Sequence, residues 1–486
     1  MKNITTLIAL TACVFLFACC NNYYHDLSAH ITSKSSSDAA ITSFSFHPDE
    51  NNALEAEYSG NIFYDDGEIL IIMPPGYKSN IDLNLKPRFS TKGLVYVNGS
   101  IQTSGANEHL FENDVVYEVV SANGANSKYY TVKIMEINSH IFVNSSVSQS
   151  GDGSSWEEAF SSIHEAANLA SLFHESMLKE IWIAAGTYKP GDSDTDFFRL
   201  IPNTSYIGGF AGTESLITQR NISANKTIIT GDLGNGARSV NLFTCKNSAA
   251  VNKIITFDGV YFESTQTAIS AFLSSLARLR IFNCNFSNID STAVFSVNGR
   301  NTTITNSTFT NITARENFGA VHISGTDTEL LDMSFNNITG NALSIVGAGI
   351  KISKTNFNNI TGAQALFIDQ IAESGTVNIS DITIDTVTGG RGIYISSHSL
   401  ILTKTEIENC DTAGFGGGIH LVNYGIAEIT NTGIQNTNAL LGEGIYYDGS
   451  ASTSLLVKNV KYNGEQILNS NHPKMHFFGR NMSFEN

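Results

Sequence analysis

One four-residue motif recurs in the C-terminal half of the chain, as Phe286-Ser287-Asn288-Ile289, Phe309-Thr310-Asn311-Ile312, Phe335-Asn336-Asn337-Ile338 and Phe357-Asn358-Asn359-Ile360. Its first position continues as a row of nine apolar anchors, 22 to 27 residues apart: Phe262, Phe286, Phe309, Phe335, Phe357, Ile384, Ile407, Ile434 and Val460. A second apolar residue lies five positions before each anchor: Phe257, Ile281, Ile304, Leu330, Ile352, Ile379, Leu402, Ile429 and Leu455. A repeat of this period predicts a solenoid whose units bury their apolar faces against their neighbours. The units are too short for helix pairs and favour short strands, so we predict an all-β protein with a parallel β-helix.

An asparagine row accompanies the anchors. Two positions after most anchors lie Asn288, Asn311, Asn337, Asn359, Asn409 and Asn436, with Thr386 as the exception. Asn is the non-glycine residue that most readily adopts the left-handed backbone conformation, and its amide forms local hydrogen bonds. Stacked at one corner of successive turns, these side chains are expected to form an amide ladder. We therefore interpret the row as structural rather than catalytic.

A third strand in each repeat has an apolar–x–apolar pattern. Because side chains alternate across a strand, the middle residue faces outward. These residues are Ser296, His322, Ser344, Phe367, Tyr394, His420 and Tyr446. The last four, here named the outer aromatic row, lie on consecutive turns about 4.8 Å apart and are the predicted ligand-binding residues. The alternative is that these rings only stabilise the sheet, or are covered by a loop.

The chain is predicted to contain two folded regions. Residues 38–136 hold short alternating strands and turn signals without the repeat, which predicts a small β-sandwich. Residues 138–486 form the β-helix. Its first turn would expose strand edges and apolar core, and therefore needs a cover. We predict an amphipathic capping helix ending near Leu172 and begun by a capping box of Ser154 and Glu157.

The first 18 residues have the features of an export signal. Lys2 precedes an apolar segment that is too short to span a bilayer. The segment ends in Leu16-Phe17-Ala18-Cys19, which resembles the lipobox of bacterial lipoproteins, although Phe17 departs from the small residue usual there. The resemblance implies a signal peptide over 1–18, a lipid on Cys19, and a Ser-rich flexible tether over 19–37. A second match ends at Cys13 but would leave a very short apolar region, and an ordinary signal peptide is the other alternative.

Composition excludes several partners. The formal charge is 28 − 45 = −17, spread along the chain, which argues against nucleic acids and anionic membrane surfaces. Cys284 and Cys410 are about five turns apart, beyond disulfide reach, and are expected to be buried thiols. A bridge between Cys245 and Cys284 is the alternative. The absence of CxxC pairs and His clusters predicts neither a metal site nor a cofactor.

The repeats over about residues 140–460 resemble those of polymorphic outer-membrane proteins, within the pectate-lyase-like superfamily of secreted β-helices. Those repeats carry F-x-x-N and G-G-A-I motifs. Here the first is shortened, as in Phe286-Ser287-Asn288, and the second survives as Phe318-Gly319-Ala320-Val321 and Gly416-Gly417-Gly418-Ile419. The N-terminal strands resemble immunoglobulin-like or cadherin-like modules of bacterial surface lipoproteins. The resemblances imply a right-handed β-helix, preceded by a spacer or binding module.

Superfamily members of this kind include polysaccharide lyases and hydrolases, which place acids on one outer sheet across adjacent turns. The candidates are Asp381 with Asp385 and Arg391, and Glu406 with Glu408 and Asp411. However, Lys354 and Lys404 align with Asp381, and Glu406 and Glu408 are expected to point to solvent. Since such clusters arise by chance in an acidic chain, we predict no catalytic residues.

The sequence favours a lipid-anchored protein of the outer membrane or cell surface without enzymatic activity. It would act as an adhesin for a glycan or a host or matrix protein, because aromatic rings bind sugars by stacking and Tyr and His add polar rims. A carbohydrate-active enzyme is the alternative. A display rod without a ligand is a third hypothesis, since nine anchors span about 38 Å.

Overall fold

The computed structural model describes residues 39–485, except 75, 137–139, 174–177, 235, 246–252, 272–277, 292–294, 315–318, 371–374, 450–452 and 480. The predicted signal peptide, Cys19 and the tether therefore lie outside the described residues. The described residues form two compact units, one comprising 39–136 with 172–173 and the other comprising 140–171 with 178–485.

The N-terminal unit is built from short strands, as its alternating sequence predicts. Eight of them form one hydrogen-bonded series, in the spatial order Pro87–Thr91, Ile41–Phe46, Tyr58–Phe63, Glu68–Met73, Ser127–Glu136, Val115–Ser121, Gly93–Val97 and Ser100–Ile101. The central pairing of Glu68–Met73 with Ser127–Glu136 is parallel. Asn84–Leu85 pairs separately with His109–Leu110, and Tyr77–Asn80 forms one helical turn.

The two halves of this series share one core. Phe44 and Tyr117 lie on strands that are not neighbours, yet their rings meet edge to face with centroids 5.2 Å apart. Phe46 meets Phe111 in the same way at 4.9 Å. The sheet therefore folds over on itself around aromatic side chains, which is the two-layer arrangement that the predicted β-sandwich requires. The finer likeness to immunoglobulin or cadherin modules stays a prediction.

The C-terminal unit is a parallel β-solenoid of about 10 turns, as predicted. Its sheet comprises His140–Val143, Lys179–Ala184, Gly186–Tyr188, Phe198–Arg199, Thr204–Phe210, Thr227–Thr230, Asn241–Cys245, Ile254–Asp258, Val260–Glu263, Thr267–Ala271, Arg278–Phe282, Asn285–Ser291, Phe295–Arg300, Thr303–Ala314, Val321–Gly340, Leu343–Gly362, Leu366–Asp369, Val377–Thr388, Ile393–Asp411, Ile419–Gln435, Ile445–Gly449, Ser454–Tyr462, Glu465–Gln466, Met475–Phe478 and Met482–Glu485. Asp232–Gly234 and Ala237–Arg238 form a separate hairpin, and Ile217–Gln219 is a short 3-10 helix.

The predicted anchors stack inside the solenoid. Five of them form a continuous buried column, with ring centroids 4.8 to 5.0 Å apart and ring planes within 12° of parallel: Phe262, Phe286, Phe309, Phe335 and Phe357. We name this column the inner phenylalanine stack. The row of anchors also begins earlier than the repeat predicts, because Tyr188 pairs in register with Ile229, and Ile229 with Phe262.

At the C-terminal end of the row, the prediction is wrong by two residues. The backbone register places Tyr462 where the repeat predicts Val460, and Val457 where it predicts Leu455. All four side chains are buried. Because side chains alternate with a period of two, a shift of two residues leaves the same face inward, and the apolar pattern does not distinguish the two registers.

The predicted capping box of Ser154 and Glu157 is also wrong. The helix spans Ile163–Leu172. Glu165 Oε2 accepts a hydrogen bond from the backbone N–H of Ser162 at 3.1 Å, which makes Ser162 and Glu165 the pair that begins the helix. Both pairs have the same spacing, but the backbone of the earlier segment bonds to the first solenoid strand and does not turn into a helix.

The helix lies against the start of the solenoid. It buries Ile163, Ala166, Ala167 and Ala170 along one face. The ring of His164 lies 4.7 Å, centroid to centroid, from the ring of Phe198. Phe198 lies on the first of the stacked strands that continue as the third strand of each repeat. These contacts agree with the predicted role of the helix as a cover for the first turn.

The asparagine row forms the predicted ladder. Its members have left-handed φ values of 50–55° or, at Asn337, 56°. In three members the side-chain amide N–H donates to the amide oxygen of the previous asparagine, at 3.3 Å from Asn311 to Asn288, 3.0 Å from Asn337 to Asn311 and 2.8 Å from Asn359 to Asn337. These bonds link the same corner of four consecutive turns.

Candidate functional site

The outer aromatic row lies in register on neighbouring turns, as predicted. The backbone pairs Ser344 with Phe367, Phe367 with Tyr394, Tyr394 with His420 and His420 with Tyr446. Centroids of successive rings from Phe367 to Tyr446 are 5.2, 5.0 and 4.8 Å apart. The structure thus brings all four predicted residues together on the outer face of one sheet.

The row presents ring edges rather than ring faces. Phe367 and Tyr394 stack with planes 7° apart, so the faces between them are covered. His420 meets Tyr394 and Tyr446 edge to face, at 68° and 65°. A sugar ring therefore does not find a free aromatic face in the middle of the row, and a ligand would contact edges, the Tyr394 hydroxyl and the imidazole of His420.

A loop partly covers the far end of the row. Phe415 stacks on Tyr446 with centroids 4.8 Å apart and planes 12° apart, and Tyr446 is only 8% exposed. Phe367, Tyr394 and His420 stay half-buried. The predicted alternatives, an open row and a covered row, therefore each describe part of the surface, and the accessible part runs from Phe367 to His420.

Arg391 connects the loop to the row. Its Nε donates to the Phe415 carbonyl at 2.6 Å, and its guanidinium carbon lies 5.9 Å from the centroid of the Tyr394 ring. Burial lowers the pKa of Arg391. Burial, followed by the positive charge of Arg391, also lowers the pKa of His420 to about 4, so that the imidazole is neutral at physiological pH.

Two aromatic residues of this surface escape sequence prediction. His476 pairs in register with Tyr446, and their rings stack 5.2 Å apart. Met475-His476-Phe477 has the same apolar–x–apolar pattern as the other third strands, so a signal for it existed. Phe415 lies in a connection between strands, where no periodicity predicts its contact.

Asp381 and Asp385, which were candidates for catalysis, lie at corners of the solenoid turns and contact neighbouring turns there. At the turn where Thr386 replaces the asparagine, Asp385 supplies the hydrogen-bond acceptor of the ladder. Its Oδ1 accepts hydrogen bonds from Thr386 Oγ1 at 3.0 Å and from Asn409 Nδ2 at 2.9 Å. Thr386 itself has a φ of 62°. A carboxylate therefore accepts the hydrogen bond from Asn409 at the turn where Thr386 interrupts the asparagine row.

Asp381 belongs to a second corner row that sequence reasoning missed. Its members all have left-handed φ values of 48–57°: Asn283, Asn306, Asp332, Lys354, Asp381, Lys404, Asn431 and Asn459. Lys404 Nζ lies 3.6 Å from Asp381 Oδ1. The predicted alignment of Asp381 with two lysines is therefore correct, and it reflects a corner of alternating charge rather than a pair of catalytic acids.

One acid of the first cluster lies in register with one acid of the second. Asp385 and Glu408 lie opposite each other on neighbouring turns. Glu408 Oε2 accepts from Gln435 Nε2 at 2.5 Å, and Asp411 Oδ1 accepts from Asn438 Nδ2 at 2.9 Å. Glu406 is exposed, as predicted. Each of the bonded carboxylates is thus an acceptor for an amide of the next turn.

Cys284 and Cys410 are buried free thiols, as predicted. Burial raises the pKa of each to about 12, which keeps both protonated. Over the described ranges, no group of three or more His, Cys, Asp and Glu side chains is arranged to hold a metal ion.

Comparisons with known proteins give only a distant likeness in fold. No family model matches the chain, and no curated protein matches it. Among solved structures, the chain is similar to one described as the crystal structure of the Agl-KA catalytic domain, with 13% sequence identity and a TM-score of 0.36 over 84% of this chain and 82% of that chain. A likeness this remote carries no argument about activity. In the described part of the chain, no helix has both the length and the apolarity to cross a membrane.

Proposed function

We propose that this chain is a lipid-anchored surface protein that binds an extended partner along its solenoid without chemical change. The observation that carries the proposal is the outer aromatic row beside Arg391. The turn before Phe367 has Ser344 at the same register position and the turn before that has His322, so an unbroken run of rings begins at Phe367.

The exposed groups suggest how a partner would bind. Because ring faces are covered by neighbouring rings, the surface offers edges of Phe367 and Tyr394 at the strand spacing, with polar groups at intervals. An extended glycan or peptide chain that crosses the turns would repeat its contacts from ring to ring. A half-buried guanidinium at Arg391 adds a donor on one side, and it attracts acceptor oxygens of either kind of chain.

Binding to an array of glycans and matrix proteins tests this site, with the full chain in detergent. The variant Phe367→Ser with Tyr394→Ser converts two turns to the residue found at Ser344, so a folded solenoid is expected. We expect the variant to lose retention of every ligand that the parent binds. Retention at parental level by the folded double variant would remove this row as the binding site.

The lipid anchor is tested separately. We expect Cys19→Ser to abolish incorporation of a labelled fatty acid and to release the chain from the membrane fraction, whereas Cys13→Ser leaves both unchanged. The reverse pattern would move the attachment site to Cys13, and undiminished labelling of the double variant Cys13→Ser with Cys19→Ser would contradict lipidation at either residue.

A carbohydrate-active enzyme is the second candidate, and the pairing of Asp385 with Glu408 across neighbouring turns favours it. Two carboxylates about one strand spacing apart fall near the separation used by retaining glycosidases. The same glycan panel, scored for new reducing ends and unsaturated products with and without calcium, separates the candidates. Product release that Glu408→Gln abolishes would establish the enzyme.

A further inference from the structure

A groove of about 730 Å³ lies on the early turns of the solenoid, away from the outer aromatic row. One wall is the segment 217–223, which includes Arg220. The opposite wall is the outer face of the strands that carry the inner phenylalanine stack. Pockets of about 300–1,000 Å³ are the usual size for small ligands, so the groove is large enough to hold one.

The strand wall presents a ring followed by polar side chains. Tyr261, Asn285 and Thr308 occupy the same register position on three neighbouring turns. They face outward because the next residues, Phe262, Phe286 and Phe309, are buried in the inner stack. A ligand in the groove would therefore meet one aromatic ring, one amide and one hydroxyl in sequence along the solenoid axis.

The ring and the amides are held in place. Lys226 Nζ lies 5.3 Å from the centroid of the Tyr261 ring, a cation–π contact that orients it. Asn285 Nδ2 donates to Thr308 Oγ1 at 2.5 Å. At the adjoining corner, Asn306 Nδ2 donates to Asn283 Oδ1 at 2.7 Å. Preorganised groups of this kind lose little conformational entropy when a ligand binds.

The amides keep hydrogen-bonding capacity toward the groove. Each carboxamide has two donors and one acceptor oxygen. Among the described residues, the side-chain oxygens of Asn285 and Asn306 accept no hydrogen bond, and each amide uses one N–H in the contacts above. Both residues line the groove. They can therefore donate to and accept from hydroxyl groups of a ligand at the same time.

The groove lining has a single charged side chain, and that charge is already paired. Arg220 is its one charged residue, with a side chain only 12% exposed. Its Nη2 lies 2.6 Å from Asp258 Oδ2, and its Nη1 donates to the Gly208 carbonyl at 3.1 Å. The ion pair is satisfied inside the wall, so a second charged group in the groove would lose hydration without gaining a free partner.

We propose that this groove is a binding site for a short, uncharged oligosaccharide. A sugar ring has an apolar face that an aromatic side chain contacts, and hydroxyl groups that amides both donate to and accept from. Tyr261 supplies the apolar contact, and Asn285, Asn306 and Thr308 supply the polar ones. The site is independent of the outer aromatic row and does not rest on that row being a binding surface.

Calorimetric titration of the full chain with neutral oligosaccharides of two to six units tests the proposal. Cello-, malto-, manno- and chito-oligosaccharides are the probes, with oligogalacturonate as the charged comparison. We expect at least one neutral series to bind and oligogalacturonate to bind more weakly. No binding by any neutral series, or a preference for oligogalacturonate, would overturn the proposal.

Two variants locate the site. Tyr261→Ala removes the ring, and Thr308→Lys fills the groove with a side chain that the same register position carries at Lys461. We expect each to weaken binding about tenfold or more. Tyr424→Ala is the matched control, since Tyr424 is 54% exposed and lies on another part of the solenoid; it should leave affinity unchanged.

The outcomes separate this site from the proposed adhesin surface. Phe367→Ser with Tyr394→Ser should leave oligosaccharide affinity unchanged. If that double variant abolishes binding while Thr308→Lys does not, the sugar binds at the outer aromatic row and the groove proposal is wrong. A chain that binds oligosaccharide normally but retains nothing on the array would support the groove and contradict the adhesin surface.

Discussion

The inner phenylalanine stack and the outer aromatic row are two columns of rings at nearly the same spacing, one inside the solenoid and the other on its outer face. Inside, the rings are of one kind, almost fully buried and parallel within 12°. Outside, the rings are of three kinds, Phe, Tyr and His, and their contacts include both stacked and edge-to-face pairs. The difference follows from packing. Inside, the side chains must fill the same volume at every turn, whereas on the outer face any ring that fits against its neighbours is tolerated.

Breaking the inner stack should have the largest effect. Phe309→Ala leaves a cavity between two rings and should lower the free energy of unfolding by about 3–5 kcal/mol. Urea unfolding followed by far-UV circular dichroism measures it. Phe309→Leu is the matched control and should cost less, because most of the volume is kept. A loss in Phe309→Ala no greater than in the control would mean that the turns collapse to fill the space.

Breaking the corner ladder should come next. Asn337→Ala removes the bonds to Asn311 and from Asn359, and it forces alanine to a φ of 56°. We expect a loss of about 2–3 kcal/mol, from the left-handed backbone and the unmade hydrogen bonds. Asn337→Gly accepts the same φ and should lose less. Equal losses in both variants would assign the effect to the amide bonds alone.

Acid should lower the unfolding free energy of the chain through His420, a member of the outer aromatic row. His420 has a folded-state pKa lowered to about 4, mainly by burial and then by Arg391, with Asp448 acting in the opposite direction. Below the unfolded-state value of about 6.5 the unfolded chain binds a proton that the folded chain does not, so stability falls as pH drops from about 6.5 to 4. His420→Tyr should flatten this part of the curve of unfolding free energy against pH. An unchanged slope would show that His420 does not carry it.

Breaking the outer row itself should have the smallest effect on stability. Phe367→Ser removes one stacked pair on the sheet surface and should cost roughly 0.2–1 kcal/mol in the same urea experiment. Ser344 occupies the equivalent place one turn earlier, so the strand tolerates the residue. A loss of unfolding free energy as large as that of Phe309→Ala would show that the outer aromatic row stabilises the fold as strongly as the inner stack does.

Sequence reasoning failed where two local patterns were equivalent. Ser154 with Glu157 and Ser162 with Glu165 have the same spacing, and only pairing of the earlier segment with the first strand decides between them. Val460 and Tyr462 both fit an inward position, because they are two residues apart. The second corner row was missed since its members include aspartate and lysine as well as asparagine, and a left-handed φ at lysine has no sequence signature.

The candidate sites also combine features that the sequence predicts with features that it does not. The outward positions of Phe367, Tyr394, His420 and Tyr446 were predictable, since alternation along one strand and the repeat period fix them. That Phe415 covers Tyr446 was not, because the contact joins a strand to a connection without periodicity. Sequence analysis also missed the groove, whose walls come from segment 217–223 and from strands that begin about 40 residues later.

The sequence by itself determined the solenoid, the inner stack, the asparagine ladder and the side of the wall on which each ring lies. These depend on two short periods, two residues along a strand and one repeat along the axis, and both can be read locally. Only the tertiary structure decided the exact register at the C-terminal end, the positions of Asp381 and Asp385 at corners of the turns, and the groove beside Tyr261. Each of these depends on which distant backbone or side chain fills the neighbouring space, and no periodic pattern records that choice.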